Sequence, residues 1–152
     1  MDDIHCHIVV HPFRPQDQDA AKALILAGLV EHWGWLDPTA NPDLDDIAST
    51  YARGTFLIAW QGEHAVATGA LLPETEGIGR IVRMSVAPDK RRRGIGGLVL
   101  EQLVERARAN GYHTLVLETT STWHDAIRFY ESHGFRRIGS WDGDTHFVFD
   151  SL

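Results

Sequence analysis

The chain reads as a mixed α/β fold: a central, mostly antiparallel sheet of about seven strands flanked by about four helices. Three observations predict it. Apolar segments and turn signals fall in the order β-α-α-β-β-β-α-β-α-β-β. Three strands follow one another before the third helix, which favours antiparallel neighbours, and a strand–helix–strand unit in the middle calls for a parallel crossover. At 152 residues, with no internal repeat, linker or low-complexity segment, the chain is large enough for one core, so a single domain over 1–152 is expected.

Each element has a local reason. Residues 8–13 carry the first strand. Residues 17–33 read as a helix: Asp17 or Asp19 can cap it, and Ala21, Leu24, Ile25, Gly28, Leu29 and His32 recur at helical spacing. Residues 34–40 form a loop. Asn41 and Pro42 then signal the start of a short helix running to about Tyr51. Residues 55–60 and 65–72 are strands joined through Gln61, Gly62 and Glu63, a hairpin pattern. Residues 78–86 form the next strand, with Ile78, Val82, Met84 and Val86 expected near one face, and Pro88 stops it. Residues 95–109 read as a helix with Ile95, Leu98, Val99, Leu103 and Ala107 on its buried stripe, closed by Asn110 and Gly111. Residues 114–118 form a strand, 123–133 a helix stopped by Gly134, and 135–141 and 146–149 the closing strands.

Composition narrows the function. The net charge is −7, and its excess lies in the first 50 residues, where nine acids face only Arg14 and Lys22. One basic turn is not a basic face, so nucleic acid is not an expected partner. No apolar run approaches the roughly 20 residues of a membrane span, and no secretory signal opens the chain. A single cysteine, Cys6, excludes an internal disulfide, and the cytoplasm is the expected compartment. His5, Cys6, His7 and His11 are metal-ligand types without a clear full set, so no metal site is expected. An acidic first third beside a cleft would suit a cationic partner. The same acids also serve as helix caps and solvated faces.

The most informative stretch is Met84-Ser-Val-Ala-Pro-Asp-Lys-Arg-Arg-Arg-Gly-Ile-Gly-Gly97: an apolar strand, a basic turn and a glycine-rich entry into a helix. The free N–H groups of a helix's first turn and the macrodipole favour an anion there. Gly94, Gly96 and Gly97 would let a phosphate approach, and Arg91, Arg92 and Arg93 add charge. The chain lacks a Walker pattern, and Val99 stands where a dinucleotide fingerprint has its third glycine.

Two motifs together resemble the GNAT superfamily of N-acetyltransferases: Val86-Ala-Pro88 followed by Arg91-Arg-Arg-Gly94-Ile-Gly96, and Leu115-Val-Leu-Glu118 followed by Ala126-Ile-Arg-Phe-Tyr130-Glu-Ser-His-Gly134-Phe135. The match is close over about 55 residues and covers the whole element order loosely. The resemblance implies acetyl-CoA as co-substrate in a gap where two strands splay apart. Amides of Arg91, Arg92, Arg93, Gly94, Ile95, Gly96 and Gly97 would hold its pyrophosphate. Met84, Ser85 and Val86 would pair with the pantetheine arm, and Ala126 on the second motif's helix would border it. Trp123 replaces a family asparagine and would pack on the cofactor or wall the acceptor pocket. Tyr130 is the expected acid for the departing thiolate and Glu118 the expected base; Arg80 occupies the site of the base in many relatives and cannot serve. The alternative for Glu118 is substrate positioning. Trp33, Trp35 and Asp37 would line the acceptor site, with core or dimer contacts as the alternative for the tryptophans. Direct transfer to a primary amine is expected, and the acidic first third tilts the acceptor towards a small cationic one. A protein N-terminus, another acyl transfer and a non-catalytic acetyl-CoA sensor remain open. Family analogy allows a homodimer.

Overall fold

A computed structural model describes residues 7–37 and 39–152. His5 and Cys6 of the histidine-rich segment, and Pro38 of the 34–40 loop, lie outside them. Seven strands form one sheet in the order β1-β2-β3-β4-β5-β7-β6. They are β1 (Ile8–Pro12), β2 (Thr55–Gln61), β3 (His64–Thr75), β4 (Ile78–Val86), β5 (Thr114–Thr120), β6 (Arg136–Trp141) and β7 (Asp144–Phe149). Among the described residues four helices flank them: α1 (Gln18–Trp33), α2 (Ile47–Thr50), α3 (Ile95–Ala109) and α4 (His124–Ser132). All strand pairs are antiparallel except β4 with β5, which α3 connects.

Two apolar clusters lie on opposite faces. Leu57, Val66, Val99, Leu103, Leu115, Leu117 and Phe147 pack with α3 and α4. Ile25, Leu44, Ile47, Phe56, Ile58 and Ala70 pack with α1 and α2. The helix after residue 41 is shorter than expected. Pro42–Leu44 makes a single 3-10 turn, and α2 starts afresh at Asp46, whose side chain accepts from the Ser49 N–H. Asn41 makes no side-chain cap, because its amide oxygen accepts from Arg83 instead. On α3, Leu98 faces solvent and Leu100 is buried in its place.

The expected single face of β4 also needs correction. The β3–β4 register passes from Thr68–Ser85 to Ala70–Val82, so Arg83 and Met84 together oppose one residue of β3. Arg83 takes φ 56°, a β-bulge conformation that breaks the alternation. Val82 therefore packs on the α1–α2 side, while Met84 and Val86 pack on the α3 side.

Candidate functional site

The site begins where β4 and β5 part. They pair only at Ile78–Thr114, Gly79–Leu115 and Arg80–Val116. Beyond Arg80, β4 keeps its partner β3 on one edge, and β5 keeps β7. The facing edges of the two strands leave backbone donors and acceptors without ladder partners, an opening suited to an amide-bearing ligand. The bulge at Arg83 adds local twist on the parting strand.

The basic turn lies at the far end of that opening. Pro88–Lys90 forms a 3-10 turn, Arg92 takes φ 65°, and Gly94 caps α3 at φ 80°. Among the described residues, no backbone N–H from 91 to 97 donates to another protein group; the first bond of the helix runs from the Leu98 N–H to the Gly94 carbonyl, 3.1 Å. The amides of this turn are free, as the motif led one to expect, and could meet an anion. The glycines, however, have a packing reason as well. A Cβ on Gly97 would lie 2.9 Å from His133 Nε2, and one on Gly96 would lie 3.2 Å from Val86 Cγ2 and 3.5 Å from the Phe129 ring. Gly96 and Gly97 are buried, and they let the first turn of α3 lie against β4 and α4. Ile95 is likewise a core side chain.

The three arginines differ. Arg91 is held on the protein: its Nη2 lies 2.6 Å from Glu31 Oε1 on α1, and its Nε donates to the Val86 carbonyl. Arg92 and Arg93 are exposed, with Arg92 3.9 Å from Asp125. Trp123 sits just before α4 and stacks on His32 of α1, centroids 4.0 Å apart, with Trp33 tilted against it at 5.7 Å. The last turn of α1 thus contacts both lips of the opening, Arg91 on one side and Trp123 on the other. Ala126 is half-buried on α4 beside the larger core cluster.

Tyr130 is buried among Phe129, Phe135 and Phe147. Burial pushes its phenol well above the ordinary tyrosine value, so it stays protonated at neutral pH. Glu118 stands on β5 two residues past the last β4–β5 pair. The resemblance made Glu118 the expected base, a role that favours a carboxylate shielded from water. The structure instead leaves Glu118 34% exposed and ion-paired with Arg80, which also binds Glu74 at 2.8 Å. Arg80, set aside as a failed base, is therefore the group that holds the expected one.

On the α1–α2 side, Arg83 grips Asp43 through two nitrogens, at 2.9 and 2.7 Å, and reaches Asn41 at 3.0 Å. Tyr51 donates to the same carboxylate at 2.7 Å. Burial alone would raise the Asp43 carboxyl, but hydrogen bonds from Arg83 and Tyr51 and the Arg83 charge hold it below the usual range. Burial and the Asp43 hydrogen bond push the Tyr51 phenol up to about 12. No sequence spacing pointed to this cluster. Of the other described acids of the first third, Asp17 pairs with Arg14, Asp45 with Lys22 and Glu31 with Arg91, Asp37 accepts from Thr39 and Asp46 caps α2, while Asp19 makes no such contact among the described residues. Their excess is spent largely on caps and pairs. Of the residues expected at the acceptor, Trp33 reaches the opening through Trp123, whereas Trp35 is 67% exposed and Asp37 is closed into its own turn.

Comparison with known proteins now bears on these features. Residues 16–135 match the model of the acetyltransferase (GNAT) family. Among curated relatives, an N-acetylaspartate synthetase of Danio rerio is 32% identical over 115 residues, covering 73% of this chain and 41% of that protein. An IAA acetyltransferase of Azospirillum brasilense is 36% identical over 125 residues, covering 80% of each. The chain spans about half the length of the first curated relatives it matches. A PaiA N-acetyltransferase of Thermoplasma acidophilum, solved in complex with coenzyme A, superposes with TM-score 0.83 over 94% of this chain and 98% of its own at 13% identity, a likeness of fold. The family match spans both sequence motifs, the parted strands and the amide turn: this chain belongs to the GNAT family of acetyltransferases.

Proposed function

We propose that the protein transfers an acetyl group from acetyl-CoA directly to a small primary amine. The observation that carries this reading is the parting of β4 and β5 after Arg80, with free amides of residues 91–97 at one end. The pyrophosphate would sit on those amides, with Arg92 and Arg93 adding charge and Arg91 joining once it leaves Glu31. The β5-facing edge of β4 at Met84, Ser85 and Val86, where the Val86 carbonyl accepts from Arg91, would bind the pantetheine amides once Arg91 moves, with Ala126 and Trp123 on the opposite lip. When bound, acetyl-CoA supplies the thioester. The amine nitrogen attacks its carbonyl carbon, the carbon–sulfur bond breaks, and the thiolate takes the Tyr130 proton. Glu118 accepts the proton from the amine. Transfer of this kind gains from a positioned acid and base, each worth about 10²–10⁴-fold.

Glu74 and Glu118 outnumber Arg80 where the strands part, which favours a cationic amine over an anionic one. Trp33 and Trp123 offer an aromatic wall for such a group. Thiol release from acetyl-CoA across a panel of amines, amino acids, aminoglycosides and short peptides tests the reading. Release with a small amine and none without acceptor is the expected result. Tight acetyl-CoA binding with no release on any acceptor would favour a sensor, and release on peptides alone would overturn the small-molecule acceptor.

A further inference from the structure

His146 lies on β7 directly opposite Glu118 on β5. Residues paired this way project from the same face, with Cβ atoms about 4.5–5.5 Å apart. The ring is fixed by a face-to-face stack on Trp141, centroids 3.7 Å apart and 8° from parallel. Its Nε2 is covered from solvent and has no hydrogen-bond partner among the described residues. A buried ring nitrogen left unpaired is costly and calls for an explanation. Glu118 meanwhile has a neighbour on each side, and only Arg80 is engaged.

We infer that His146 is a positioning residue for Glu118: it draws the carboxylate away from Arg80 and shares the proton that Glu118 takes from the acceptor amine. This rests on the transferase reading above. In the resting protein Arg80 holds the carboxylate. A cationic acceptor entering between them competes with Arg80 for Glu118, and the freed carboxylate reaches the orphaned Nε2. The ammonium first gives one proton to the Glu118–His146 pair, which releases it to solvent, because only the neutral amine carries a lone pair; the carbon–nitrogen bond then forms as the carbon–sulfur bond breaks, the second amine proton passes to the same pair, and Tyr130 protonates the thiolate and regains its proton from solvent. The other charged groups that the register places on this face are Asp144 on β7, and Arg136 on β6 with its partner Asp150 at 3.1 Å. Arg136 and Asp150 are satisfied by each other, and Asp144 lies two residues along the strand, opposite Thr120.

The test is a double-mutant cycle of His146→Phe and Glu118→Gln. Phenylalanine preserves the stack on Trp141 and removes the nitrogen. The expected result is a fall in kcat of about tenfold with an unchanged KM for acetyl-CoA, partly recovered by His146→Gln. In the Glu118→Gln background the same substitution is expected to change kcat by less than about twofold. An equal loss in both backgrounds, or no loss in either, overturns the inference. A second readout needs no turnover: Arg80→Gln frees the carboxylate, and in that background Glu118→Gln is expected to shift the NMR signals of the His146 ring nitrogens. Unmoved signals overturn the pairing. Moved signals in a protein that acetylates no amine leave the pair standing and sink the transferase reading instead.

Discussion

The side of the opening proposed to hold the donor, the donor side, and the side proposed to take the acceptor, the acceptor side, are built differently. The donor side, from the end of β4 through α3, follows the chain: residues 84–97 form strand, turn and helix entry in succession, and their amides converge because they are consecutive. The acceptor side is assembled across long sequence separations. Asp43 meets Arg83 40 residues away, Gln18 bonds to Leu44 26 residues away, and Glu31 of α1 reaches Arg91. A backbone-built cradle is fixed once its helix forms. A side-chain-built wall depends on every partner and changes with each substitution, which suits a family whose members take different acceptors.

Removing the acid should separate the two sides most sharply. Tyr130→Phe is expected to lower kcat about 10²-fold or more while acetyl-CoA binding, measured by calorimetry, stays near wild type. The phenol makes no hydrogen bond to another described residue, so the melting temperature should hold. Wild-type kcat in this variant would remove Tyr130 from the chemistry.

Next in size is the acceptor-side anchor. Asp43→Asn strips Arg83 of its bidentate partner at a site where both side chains are at least three-quarters covered. A loss of about 2 kcal/mol, or roughly 4–8 °C in Tm, is expected. The pH dependence has a defined sign. The Asp43 carboxyl is held below its ordinary value, so its contribution is full above roughly pH 4 and lost as pH falls through the folded value. The Tyr51 phenol is raised, so its contribution is full below roughly pH 10 and lost as pH rises through about 12. Chemical denaturation against pH should show both limbs in wild type and a weakened acid limb in Asp43→Asn.

On the donor side, Gly97→Ala places a methyl group 2.9 Å from His133 Nε2. Forcing α3 and α4 apart is expected to cost about 1–2 kcal/mol and to raise the KM for acetyl-CoA. A full-stability variant would show that α4 yields at no cost. The smallest effect belongs to the contact between the two sides. Glu31→Gln releases Arg91 from a partly exposed pair, so stability should change by less than about 1 kcal/mol. Acetyl-CoA should bind slightly more tightly, because Arg91 no longer has to leave a carboxylate. Weaker binding would mean that Glu31 holds Arg91 in its working position.

How far the sequence could be read follows from this contrast. The bounds of β4 and α3 and the free amides of the turn follow from periodicity and from proline and glycine signals, whereas the burial of Tyr130 did not. The face of β4 was misjudged because nothing within β4 announces its bulge: Arg83 carries the positive φ, and the glycine that makes room, Gly69, lies on the facing strand. The roles of Gly96 and Gly97 were only half legible, since a glycine needed for a neighbouring helix looks the same in sequence as one needed for a phosphate. Glu118 was found by its place before Tyr130, but its pairing with Arg80 was not, and His146 carried no local signal.

The sequence by itself determined the element order, the glycine-rich turn with its free amides and the family, because hydrogen bonds within strands, helices and turns join residues close along the chain. The tertiary structure decided which acids are spent on internal pairs, which arginine is held back from the turn, and which histidine stands behind Glu118. Those outcomes depend on sheet register and strand order, which bring β5 beside β7 and α1 over β4, and no spacing along the chain encodes such neighbours.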